Sequence, residues 1–141
     1  MDKKVNDIKK DAISMGACVK AQRIFGWKSL ALAFFSPQGR EFCKKNNYPD
    51  IDKFRDIASN VKEYGVFVEQ AVNRSNADTA LVGDCGGFSE LSFSGLEKAY
   101  TVILMHGAKA HVKVGNYAVV RLENINGEYE IDNDGTGRVL I

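Results

Sequence analysis

The chain has 141 residues, 45% of them hydrophobic and 26% charged, with a net charge of +1. That length suits one domain or two small units sharing a core, and the composition is that of an ordinary globular protein. No apolar run reaches eighteen residues, which excludes a transmembrane helix, and no apolar signal core follows the charged start Met1-Asp2-Lys3-Lys4.

The small net charge hides an asymmetry. Residues 1–60 carry twelve Lys/Arg against seven Asp/Glu, and residues 61–141 carry seven against eleven. A basic front half meets an anionic partner, or the two faces are simply solvated. Cys18, Cys43 and Cys85 are odd in number and widely spaced, a pattern of reduced intracellular thiols rather than of a disulfide framework.

In chain order, Val5, Ile8, Ala12, Met15 and Val19 recur every three or four residues and predict one amphipathic helix, with Gly26 ending the element. Trp27–Phe35 predicts a second, more apolar helix that should be buried. Ser36-Pro37 opens a third, with Ser at the N-cap and Pro in the first turn, and Asn46-Asn47-Tyr48-Pro49 breaks it. Asp50 caps a fourth, whose apolar face is Ile51, Phe54, Ile57, Ala58, Val61 and Tyr64, with Gly65 as its terminator. Val66-Phe67-Val68 leaves the helical part as a strand, and Asn73–Asp78 reads as a turn-rich boundary.

Beyond Asp78 the hydrophobic period changes from 3.6 to 2. Apolar strands at 79–82, 100–105, 118–122 and 139–141 take turns with alternating strands at 88–94, 109–114 and 127–131. The apolar strands align as Leu81, Val102, Val120 and Val139, and the alternating ones as Leu91, Val112 and Tyr129. Such a strand–turn–strand unit is the mark of a solenoid, in which each coil buries its face on the next. The expected fold is therefore α+β: a cap of about four helices over residues 1–65, then a short two-sheet β-solenoid over residues 66–141, the two forming one cooperative unit. An antiparallel meander or sandwich is the alternative. A solenoid exposes strand edges at its ends, so the strand Arg138-Val139-Leu140-Ile141 is expected to pair with a second copy in a homo-oligomer.

Few residues suggest chemistry. Gly83-Asp84-Cys85-Gly86-Gly87 resembles the nucleophile loop of chymotrypsin-like proteases with Cys in place of Ser, as in viral cysteine proteases of that fold. There, glycines let backbone N–H groups form an oxyanion hole. That family's catalytic His and Asp lie upstream of the nucleophile, whereas His106 and His111 both lie downstream. The repeat offsets suggest instead a Cys85–His106–Asn124 ladder along one solenoid edge, a nucleophile–base–orienter set at about 4.8 Å per coil. A stack of turn residues is the plainer reading. His106 and His111, five apart, point to opposite faces if they share one unbroken strand, and no zinc-ligand or nucleotide-binding spacing occurs, so no metal or cofactor is expected. Arg40, Lys44 and Lys45 form the candidate binding face, with nucleic acid a weaker partner than protein.

Two segments, Ser36–Pro49 and Val102–Ala110, resemble small proteins of phages and mobile elements of gut-type bacteria that pair a helical N-terminal part with a C-terminal strand-repeat part. The resemblance carries no catalytic residues. It implies an accessory protein acting inside a bacterial cell or in a virion, either an inhibitor of a host defence complex in the manner of an anti-CRISPR protein or a structural component. The expected function is thus a non-enzymatic interaction module, with a Cys85-dependent hydrolase as the alternative.

Overall fold

The computed structural model describes residues 2–17 and 19–141. Cys18 lies outside the described residues. The chain divides into a helical unit ending at Val66 and a strand unit over Phe67–Ile141.

In the helical unit, α1 runs Lys3–Ser14, α2 Trp27–Phe35, α3 Pro37–Asn46 and α4 Ile51–Val61. Asp2 caps α1 by accepting from Lys4 N at 2.8 Å, Ser36 caps α3 by accepting from Gly39 N at 3.0 Å, and Asp50 caps α4 by accepting from Lys53 N at 2.8 Å. Phe54, Ile57 and Val61 of α4 are buried, as their spacing requires. The last turn of α4 tightens into a 3-10 turn at Lys62–Tyr64, and Gly65 terminates it at φ +90°.

One expectation fails at each of the first two helices. The stripe from Val5 to Val19 is not continuous. α1 stops at Ser14, Gly16 takes φ +91°, and the chain resumes as a separate 3-10 turn at Val19–Arg23. Met15, counted in the stripe, is exposed. The second failure concerns α2. Of its nine residues only Ala31 is buried.

The strands are β1 (Val66–Val68), which begins on the last residue of the helical unit, β2 (Asn73–Ser75), β3 (Thr79–Val82), β4 (Ser89–Ser94), β5 (Ala99–Met105), β6 (Lys109–Gly115), β7 (Val119–Asn124), β8 (Glu128–Asn133) and β9 (Arg138–Leu140). Odd strands form one sheet in the order β1-β3-β5-β7-β9, and even strands form a second in the order β2-β4-β6-β8. From β2 onward every pairing is parallel. The chain therefore crosses between two sheets and advances one strand per coil, which is a β-solenoid and not an antiparallel meander. Residues 73–75, read as turn, instead supply the first strand of the second sheet.

The interior is a layer of Leu81, Val102, Leu104, Val120 and Leu122 from one sheet against Leu91, Phe93, Ala110, Val112 and Val114 from the other. Each fully buried Val, Ile or Leu contributes ~1.5–3 kcal/mol. Faces match the expectation, and registers partly do. Leu91 pairs with Val112 and Val120 with Val139, but Val102 pairs with Thr79 and Leu122, and Val112 pairs with Ile131. Every slip is two residues, so no side chain changes face.

Corners are locked sideways by polar turn residues. Asn76 Oδ1 accepts from Ser94 N at 2.9 Å, Asp78 Oδ1 from Thr101 N at 2.9 Å, and Asp134 Oδ2 from Asn116 N at 3.2 Å, each bond joining one coil to the next. Asn76 and Asn116 hold φ +52° and +49°, the left-handed backbone that Asn tolerates and that a tight corner needs.

Candidate interaction surface

The most unusual surface of the helical unit follows from the packing of α2. Its first turn is closed by Ser29, whose Oγ accepts from Phe25 N and Gly26 N, each at 3.0 Å. Its last turn is held from α3. Ser36 Oγ donates to Ala33 O at 2.6 Å, and Arg40 Nη1 donates to Phe35 O at 2.8 Å, placing a cation at the helix C-terminus. Gly39 allows this approach, because a Cβ there would overlap Ala33 O.

So held, α2 turns Trp27, Leu30, Ala31 and Phe34 inward, where Phe34 meets Phe54 of α4 edge to face at 5.8 Å. Its other stripe carries Lys28, Leu32 and Phe35, spaced i, i+4, i+7, and Phe25 stands just ahead of it. Phe25 is 76% exposed and Leu32 62%. Residues 22–45 contain five Lys/Arg (Arg23, Lys28, Arg40, Lys44, Lys45) and one acid, Glu41. The segment thus combines exposed aromatic and aliphatic side chains with positive charge. Of the three basic residues singled out from sequence, Lys44 and Lys45 are exposed in the last turn of α3, while Arg40 is half-buried and ties α3 to α2.

The candidate ladder at the solenoid edge is differently arranged. Cys85 lies half-buried in the turn after β3, with Sγ donating to Gly87 O at 3.2 Å. His106 sits at φ +56° in the turn after β5, and its backbone N–H donates to Asn126 Oδ1. The strand pairs Val82–Met105 and Leu104–Asn124, continued outward, set His106 level with Gly83 and Asn126, not with Cys85 and Asn124. The Asn124 carboxamide closes its own turn, donating to Gly127 O at 3.1 Å and accepting from Gly127 N at 2.8 Å. The two-residue register slips thus separate the three residues into different rows.

His111 lies on β6 and not on a strand shared with His106. Its Nδ1 is 2.9 Å from Glu90 Oε1 and its Nε2 3.0 Å from Glu130 Oε2, so one imidazole joins β4, β6 and β8 across the outer face. One ring nitrogen donates in the neutral imidazole and both in the charged one. Phe88 stacks on the ring at 4.3 Å. The offsets from Glu90 to His111 and from His111 to Glu130 are those of the true strand register, which was the signal available in the sequence. Among the described residues no cluster of His, Cys, Asp and Glu is arranged to hold a metal ion, and no helix is long and apolar enough to cross a membrane.

Cys43 is 3% exposed, and burial pushes its thiol up to about 12, far from the thiolate that nucleophilic chemistry requires. No protein-family model matches the chain, and neither a curated protein nor a solved structure is significantly similar to it.

Proposed function

We propose that the chain is a non-enzymatic protein-interaction module whose helical unit docks a partner through the face formed by Phe25, Leu32 and Phe35, within the basic segment that carries Lys28, Lys44 and Lys45. The observation that carries this reading is α2, a helix of mostly apolar residues with only Ala31 buried. Exposed aromatic and aliphatic groups rimmed by charge are the usual composition of a binding patch, since a lone folded protein gains nothing by leaving them in water. The β-solenoid is a second unit whose outer face carries Glu90, His111 and Glu130.

The resemblance to phage and mobile-element proteins suggests where a partner is to be sought. It points to a bacterial cell, with a host defence complex that the protein inhibits, or a virion component, as the class of target. A second copy pairing along β9 is a further protein partner under the same reading, and light scattering over a range of concentrations tests it. Docking itself is tested by placing a photo-crosslinking amino acid at position 25 or 32 in the full chain and exposing it in bacterial lysate. Discrete crosslinked adducts at both positions support the docking face. Adducts obtained equally from Leu96, exposed in a solenoid turn, would remove the basis for it.

A further inference from the structure

The core of the helical unit is incompletely filled. A pocket of about 100 Å³, partly open to solvent, lies among its elements, bordered by Ile8 and Ala12 of α1, Ala31 of α2, Phe42 of α3 and Ile57 of α4. Ala12 and Ala31, both buried, are among the small residues that line it.

Among the described residues the wall offers little to a polar occupant. The Ser36 hydroxyl bonds Ala33 O and Gly39 N, and the Tyr48 hydroxyl donates to Asp11 Oδ2 at 3.0 Å. Cys43 presents a neutral thiol, and Gln38 is itself exposed to solvent. A water molecule held there needs two to four polar partners, which such a wall does not offer, so a small apolar guest is favoured over ordered water. A charged or strongly hydrated ligand would lose its solvation there without replacement.

We propose that the helical unit binds a small, uncharged, apolar molecule in this cavity, a ring or branched hydrocarbon of roughly six heavy atoms or fewer. The site is distinct from the docking face and does not depend on it. α2 and α3 each bury a single residue, Ala31 and Cys43, so these two walls are the ones least held by packing.

The probes are benzene and xenon, added to the full chain with methyl groups labelled for NMR. Saturable shifts are expected at the methyls of Ile8, Ala12, Ala31 and Ile57, with those of Val112 and Val120 in the solenoid unmoved, and the melting temperature should rise with benzene concentration. Ala31→Leu should fill the space, weaken benzene binding at least tenfold, and leave the fold intact. Absence of saturable shifts with both probes in the folded wild-type chain overturns the proposal, as do equal shifts in solenoid methyls. Should Ala31→Leu fail to fold, xenon titration of the wild-type chain decides by itself.

Discussion

Gly39 of α3 and Ala33 of α2 meet backbone to backbone, with no space for a side chain between them: a Cβ on Gly39 would overlap the Ala33 carbonyl oxygen. This contact sets how far α3 draws α2 into the unit, and thus which stripe of α2 faces water. Gly39→Ala must displace helical backbone, which is far stiffer than a side-chain tip, so a loss of about 1–3 kcal/mol is expected. The chain has a single tryptophan, Trp27, on α2 itself. Urea denaturation followed by its fluorescence should show the midpoint fall, while the solenoid signal in circular dichroism moves less.

Burial of Cys43 gives the helical unit a dependence on alkaline pH. The unfolded thiol ionises near its ordinary value of 9.0, whereas the folded one holds its proton to about 12. Between those values the unfolded state binds fewer protons, so stability falls as pH rises, by up to about 1.4 kcal/mol per pH unit. Below about pH 8 the thiol adds little slope. Cys43→Ala should flatten the stability profile between pH 9 and 11 relative to wild type. A parallel profile in the variant would assign the alkaline loss to other groups.

The two described cysteines should differ in reactivity for the same reason. Cys85 is half-buried in a turn, and Cys43 is enclosed. Iodoacetamide treatment of the native protein, read by peptide mass spectrometry, should label Cys85 well before Cys43. Cys85→Ala should leave partner capture unchanged, because the docking face belongs to α2. Loss of the protein's effect in that variant would favour thiol chemistry.

His111 joins three strands through Glu90 and Glu130, yet all three side chains are substantially exposed. Solvent screening keeps such pairs weak, and His111→Ala should cost only about 0.5–1 kcal/mol. A loss of several kcal/mol would mean that the stack with Phe88 contributes more than its area suggests.

Much of this fold is legible in the sequence, and the failures have physical causes. The alternation from Leu91 to Phe93 and from Ala110 to Val114 fixes which side chains point inward, since a strand has period two. It does not fix register, because turns of different length shift a pairing by two residues without exposing any apolar group. Val102 can sit beside Leu81 or Thr79 and remain inside. That ambiguity alone produces the Cys85–His106–Asn124 ladder, which the pairing of Leu104 with Asn124 separates. The helical caps at Ser36 and Asp50 are readable because they are local chemistry. The exposure of Leu32 on α2 is not, for an apolar helix buried on all sides and one buried on a single side share the same composition.

The docking face is tested most directly by quantitative mass spectrometry of proteins captured from bacterial lysate by three folded forms of the chain: wild type, Phe25→Ser combined with Leu32→Ser, and Leu96→Ser. Leu96 is 77% exposed, comparable to Phe25, and lies in the strand unit. The docking reading requires a protein captured by wild type and Leu96→Ser and reduced at least tenfold by the α2 double variant. Undiminished capture by the double variant would contradict it.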